Sequence, residues 1–237
     1  MGAIEVAVDQ YLRGFIGFSL FISLRYLLLA GLLGICCRGY LLLRRPGCWH
    51  DIRLSLVATL PFALAASLVQ MASRAGHTAL YSQVASHGWF YLLVSYLLVL
   101  VLQDCFFYFS HRLLHRRRLF SWCHSGHHHS RQPSVWTSFA FDWPEACLHT
   151  MFLVAIVCWL PLHVSVLLAV LSTMSVWAVV NHLNVALPEW LLRRWGGLGH
   201  WLIGPGHHGV HHQRPCLHFG LYFTYWDRLL GTQSDRF

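Results

Sequence analysis

The chain has 237 residues, 56% hydrophobic and only 11% charged, whereas about a quarter of the residues in an ordinary soluble domain carry charge. Its formal charge of +8 comes from arginine alone, because the chain has no lysine. Those arginines flank apolar runs, which argues against a nucleic-acid surface and reads as topology signals and contacts with anionic lipid.

The residues before Arg13 include Glu5 and Asp9, so no basic leader precedes the first apolar run and no cleavable signal peptide is expected. Residues 14–37 carry one charge, Arg25; residues 54–73 carry none; residues 89–110 carry only Asp104. Each run matches the ~20 apolar residues that cross a bilayer's hydrocarbon core. Arg25 would cost at least about 2.5 kcal/mol if it faced lipid, so it is expected to face the bundle. Arg38, Arg44, Arg45 and Arg53 crowd the loop after the first span, and Arg112, Arg116, Arg117 and Arg118 follow the third. The loop between the second and third spans has Arg74 alone. The positive-inside bias therefore predicts residues 38–53 and 111–145 on the cytoplasmic face and the amino terminus outside.

Fifteen of the eighteen histidines follow position 110, and most sit in three spaced blocks. These are His111-Arg-Leu-Leu-His115, His124-Ser-Gly-His127-His128 and His208-Gly-Val-His211-His212. Residues three and four apart share a helix face, so each block can aim two or three imidazoles at one point. Eight converging imidazoles exceed the four ligands of one zinc and suit two first-row metals with open positions. The rival reading is a histidine-rich metal transporter or sensor. Transport would string ligands along a path through the membrane, whereas these blocks cluster at one face.

Asp104, Tyr108, His111 and His115 fall on one helical stripe, which makes Asp104 a candidate partner for the far ring nitrogen of a ligand. Asp227 and Glu145 are further candidates for orienting a ligand imidazole. The last apolar run places the first two blocks before it and the third after it, so a shared site requires an even number of crossings. Residues 148–181 are long for one span and short for two, with Pro161 near the middle. A helical hairpin turning near Pro161 and His163 is expected, which returns Arg193 and Arg194 to the cytoplasmic side. Residues 111–145 and 182–237 then form a cap over the spans. The eight cysteines form no CxxC pair and read as small hydrophobes, with Cys123 and Cys216 set apart by their nearness to the blocks. His149 and His163 read as hydrogen-bonded structural residues, and His129 and His207 as neighbours of the boxes. With no internal repeat or linker, residues 1–237 form one all-α polytopic membrane domain: a transmembrane helix bundle with a cytoplasmic histidine-rich dimetal site.

The two closely spaced boxes at 111–115 and 124–128, the segment Asn181-His182-Leu-Asn184-Val-Ala-Leu-Pro188, and the tail from Gly204 through Thr232 resemble the fatty acid hydroxylase/sterol desaturase superfamily. The resemblance covers about 104–232. It implies a membrane oxidoreductase with two iron ions that uses O2 and electrons from a separate carrier protein on a lipid substrate of sterol, fatty acyl or carotenoid class. Hydroxylation and desaturation share the same start and stay open alternatives. The ligands it implies are His111, His115, His124, His127, His128, His208, His211 and His212, with His182 as a ninth. It places the site on the cytoplasmic face of a bacterial inner membrane or the endoplasmic reticulum. The chain departs from the family pattern at Trp143, which precedes Pro144 where members often have His, and at His218, where many have Asn.

Overall fold

The computed structural model describes residues 2–38, 47–183 and 200–234. Arg44, Arg45, Asn184 to Pro188, Arg193 and Arg194 lie outside the described residues. Among the described residues, four helices are long and apolar enough to cross a membrane: α1 (Ala3–Arg38), α2 (Cys48–Arg74), α3 (Gly88–Leu114) and α6 (Val164–Asn181). The helices run past the charge-free cores that mark them in sequence. α1 begins at Ala3, where Arg13 and Asp9 pair across one helical turn at 2.9 Å. Its 36 residues extend about 54 Å, well beyond the ~30 Å hydrocarbon core, so its ends project into the interface.

Between α3 and α6 lie the short helix α4 (Arg117–Cys123), 3-10 turns at His127–His129 and Val135–Phe139, and helix α5 (Trp143–Trp159). The apolar run breaks at Leu160, whose backbone turns extended one residue before Pro161. Leu162–His163 (β2) then pairs in parallel with Leu80–Tyr81 (β1), from the connection between α2 and α3. His163 fixes that turn: its Nδ1 accepts from the Ser165 backbone N–H and its Nε2–H donates to the Ser82 carbonyl at 2.9 Å. Tyr91 donates to the Pro161 carbonyl from α3. The hairpin of α5 and α6 therefore leaves and returns to the same end of the bundle, and the α2–α3 connection marks the opposite end.

At the returning end the 135–139 turn dips between α1, α2 and α6. Val135, Trp136 and Phe139 pack there against Tyr26, Ala30, Ile52 and Val179. Irregular backbone inside a bundle needs its polar groups satisfied internally. The Trp136 carbonyl accepts from both Tyr26 at 2.8 Å and Ser55 at 3.2 Å. Arg25 turns inward, its guanidinium 5.9 Å from the Phe139 ring centroid.

Single cysteines at Ser82 and Ser125, both exposed, should react with a membrane-impermeant maleimide from opposite sides of a sealed vesicle in a cysteine-free background. Labelling of both from one side would rule out the hairpin geometry.

Candidate metal centre

Four local structures deliver the histidines. The end of α3 presents His111 and, one turn on, His115. α4 ends at Cys123, and the chain turns through Gly126 into the 3-10 turn of His127–His129. Gly126 is required by close approach, since a Cβ there would run into Asp142 and Leu54. Helix α7 (Pro205–Gln213) starts with proline in its first turn, and His207 Nδ1 accepts the Gly204 N–H. It carries His208, His211 and His212 on one face. His182 is the residue after α6.

The nine imidazoles gather in two groups. His111, His115, His124, His128 and His211 form the first; His127, His182, His208 and His212 form the second. Within each group one ring nitrogen per residue lies within 4.8 Å of all the others. His111 Nε2 is 3.1 Å from His124 Nε2 and 3.3 Å from His115 Nε2, and His128 Nε2 is 3.1 Å from His211 Nε2. In the second group, His208 Nε2 is 2.9 Å from His182 Nε2 and 3.2 Å from His212 Nε2. Metal–imidazole bonds of about 2.0–2.1 Å place neighbouring nitrogens about 3 Å apart, which these separations match.

The far ring nitrogens settle which atoms face inward. His111 Nδ1–H donates to the Phe219 carbonyl at 3.0 Å, and His124 Nδ1–H to Glu145 Oε2 at 2.8 Å. His182 donates likewise to the Ala178 carbonyl, His211 to Leu217 and His212 to Ser130. A neutral imidazole that donates from Nδ1 carries a lone pair on Nε2. Lone pairs therefore face one another at about 3 Å, an arrangement that repels unless a cation is shared. His127 Nδ1 has no hydrogen-bond partner among the described residues, and its ring stacks on Phe141.

A shared proton is disfavoured. Burial, the largest cause, holds His124 and His211 down to about 3 and His182 to about 4. His115, His127, His128, His208 and His212 are held far below the ordinary imidazole value by burial and then by neighbouring imidazoles. Metal ligation needs the neutral form these environments enforce. A donor set of neutral imidazoles suits first-row transition metals and disfavours calcium and magnesium, which take oxygen ligands.

Carboxylates hold the scaffold, with roles that differ from the sequence expectation for Asp104. Asp104 bonds no imidazole: Oδ1 accepts the backbone N–H of Tyr222 at 2.7 Å and of Phe223 at 3.1 Å. The reason is helical rise, since seven residues separate Asp104 from His111 by about 10 Å along α3. Among the described residues, Glu145 is the carboxylate that hydrogen-bonds a grouped imidazole directly, at His124. Asp227 acts one step away, accepting the N–H groups of Phe219 and Gly220 and so fixing the carbonyl that holds His111. Gly220 leaves no room for a Cβ, which would strike the Phe223 carbonyl. Asp51 had no signal in the sequence, because nothing in the first loop's spacing ties it to Ser130, 79 residues away and just past the second box. It accepts from Ser130 at 2.8 Å and Thr137 at 2.7 Å, setting the segment whose carbonyl receives His212. Asp142 holds the Gly126 N–H at 2.8 Å.

The remaining histidines lie outside both groups. His129 packs at a tilt against His50, and His207 meets His218 edge to face. His218 has a φ of 56°, a left-handed conformation that Asn and His tolerate better than most residues. His149 departs from its structural expectation: it packs among Phe106, Phe107 and Phe141, and its Nε2 lies 3.8 Å from Glu145 with no hydrogen-bond partner among the described residues. Cys123 and Cys216 are free thiols outside both groups.

A family model described as fatty acid hydroxylase matches residues 96–232, more than half of the chain. Lathosterol oxidase of Mus musculus is 30% identical over 159 residues, covering 66% of this chain and 51% of its own length. Methylsterol monooxygenase 1 of Rattus norvegicus is 30% identical, covering 61% and 48%. Delta(7)-sterol 5(6)-desaturase ERG3B of Gibberella zeae is 26% identical, covering 66% and 47%. The chain spans about half the length of the curated relatives it matches. No solved structure matches it.

Glu145→Gln should weaken metal affinity by ~10–100-fold in titrations of the purified protein, the range seen when a ligand histidine loses its carboxylate. Asp104→Asn should lower the melting temperature and reduce affinity less than Glu145→Gln; the reverse order would contradict the assigned roles. The buried imidazoles also set a pH dependence for the metal-free protein. Their folded pKa lies below the ordinary 6.5, so the unfolded chain binds protons first as pH falls. The stability they contribute is full above pH 6.5 and is lost progressively toward pH 3–4. Thermal unfolding in detergent should show a midpoint falling across that window; a flat midpoint would contradict the neutral, buried cluster.

Proposed function

Because the chain belongs to the fatty acid hydroxylase family, we propose that it is a membrane oxidoreductase that hydroxylates a lipid C–H bond at a histidine-ligated non-haem diiron centre. The observation that carries this reading is the facing of Nε2 lone pairs at 2.9–3.3 Å in two adjoining groups. The ligands are His111, His115, His124, His128 and His211 for one iron and His127, His182, His208 and His212 for the other. Five and four imidazoles leave positions open on six-coordinate metals, as a redox site requires and a closed structural site does not.

When bound, the two irons supply O2 reduction with two external electrons, placing one oxygen atom in the substrate and releasing the other as water. The protein's own residues do the rest. Glu145 keeps the proton on His124 Nδ1, and the carbonyls of Phe219, Ala178, Leu217 and Ser130 do the same for His111, His182, His211 and His212. Each ring therefore meets its metal at fixed orientation. Seven of the nine imidazoles are buried and His115 and His128 are partly so, which limits side reactions with water. Desaturation is the second reading, favoured by the name of one of the relatives above, the Delta(7)-sterol 5(6)-desaturase, and begins at the same C–H bond.

The arginine bias supports a histidine end on the cytoplasmic face, within a single domain over residues 1–237. The electron carrier is a separate protein that docks on the exposed arginines Arg117 and Arg118. Gathering of the ligands at one end of the bundle favours an enzyme over a transporter, which would spread them along a path.

Purified protein should hold two irons per chain. His211→Ala should lose the iron of the first group and His127→Ala that of the second, each abolishing O2-dependent lipid oxidation. Metal analysis showing both irons retained in either variant would end the assignment.

A further inference from the structure

Two cavities approach the histidine groups, and their sizes differ by more than tenfold. One lies inside the bundle, walled by Phe62, Phe106, Phe107, Phe141 and Phe152, and measures about 40 Å3. The other is a cleft of about 700 Å3 at the end of α3. Ligand sites for small molecules typically occupy about 300–1,000 Å3, so only the cleft has room for a lipid. The cleft also reaches the chemistry. His115 lines it, and so does Phe219, whose ring packs 5.3–5.6 Å from those of His111, His115 and His211.

Its walls have two characters. Phe109 and Leu113, one turn apart on α3, present half-exposed apolar side chains. Arg112 and Arg116, also one turn apart, are exposed and charged. No carboxylate lines the cleft among the described residues. Asp227 lies within electrostatic reach of Arg112 but is buried and already accepts Phe219, Gly220 and Thr232. Among the described residues Arg112 donates once, to Tyr108, at 3.2 Å, and most of its guanidinium donors have no partner there.

Building on the oxidoreductase reading, we infer that the cleft binds the substrate and that the substrate is a long-chain lipid with an anionic headgroup. The headgroup pairs with Arg112 and Arg116, and the chain lies along Phe109, Leu113 and Phe219 toward His115. A carboxylate or phosphate suits this pair, because guanidinium groups bind such anions through paired, charge-assisted hydrogen bonds. A sterol, neutral at its hydroxyl, would leave both arginines without a counter-charge.

Cys216 is an exposed free thiol on the cleft wall and reports occupancy directly. The full chain in neutral detergent is treated with N-ethylmaleimide, alone or with palmitate, hexadecanol or cholesterol, and labelling is read at each cysteine by mass spectrometry. Palmitate should slow labelling of Cys216 roughly tenfold, the effect of about 1.4 kcal/mol of charge-dependent binding. Hexadecanol and cholesterol should leave it nearly unchanged, and exposed Cys158 should label at one rate throughout. R112Q/R116Q should abolish the palmitate effect, whereas R117Q/R118Q should keep it. Equal protection by hexadecanol or cholesterol, absence of protection by palmitate, parallel slowing at Cys158, or protection that survives R112Q/R116Q would each overturn the proposal. The wild-type comparison of palmitate with hexadecanol stands without any variant. Iron counted in the same samples separates the two claims: wild-type protein that protects Cys216 without taking up iron would refute the oxidoreductase reading and leave the binding site in place.

Discussion

Neutral imidazoles with lone pairs facing are held in register by pinning their outer N–H groups, and five of the nine, His111, His124, His182, His211 and His212, are pinned by a carbonyl or a carboxylate. The chain has nine acidic residues, and five of them, Asp51, Asp104, Asp142, Glu145 and Asp227, hold the backbone or rings of this scaffold. Only Glu145 does so by touching a ligand ring. The others clamp backbone N–H groups or hydroxyls, and backbone carbonyls then orient the rings. This division fits the cost of buried charge: a carboxylate that accepts two or three hydrogen bonds is satisfied, and a bare one in an apolar surround is not.

The segment 217–223 is the centre of that scaffold. Leu217 and Phe219 offer carbonyls to His211 and His111, from different boxes. Asp227 holds the segment at Phe219 and Gly220, Asp104 holds it at Tyr222 and Phe223, and Asn181 donates to the Leu221 carbonyl at 3.2 Å. A span of the bundle, the end of the hairpin and the carboxyl-terminal tail are thus locked through one short stretch of backbone. Displacement of that stretch would misalign ligands of the first group without altering a single ligand residue, which is how a gap of about 1 Å can disable a site.

The hairpin solves a problem of parity. Two histidine boxes precede α5 and one follows α6, so the chain must leave and return to the same face. The β1–β2 pairing and the Tyr91 and His163 hydrogen bonds close the far end, where an unpaired turn in a low-dielectric surround would be costly. The same packing that brings the boxes together fills the bundle interior with phenylalanine beneath the site. Of the two cavities near the site, the cleft at the end of α3 is the roomier, at about 700 Å3 against about 40 Å3 inside the bundle.

Much of this protein is legible along the chain. Apolar runs bounded by arginine mark the spans, because hydrocarbon tolerates no unpaired charge. Pro161 marks the hairpin turn because it cannot continue a helix, and histidines three and four apart mark the shared faces. The distribution of the ligands is not legible in the same way. Box two divides, with His124 and His128 in one group and His127 in the other, and box three divides His211 from His208 and His212. Adjacent residues on a helical turn point about 100° apart, so sequence spacing says which rings can share a face but not which centre each face meets. The contacts of Asp104, Asp227 and Asp51 were equally hidden. They join residues 118, 8 and 79 positions apart or bridge through backbone atoms, which carry no side-chain signature. The residue pattern determined the donors; packing of the hairpin and the tail against α3 decided their grouping and their orientation.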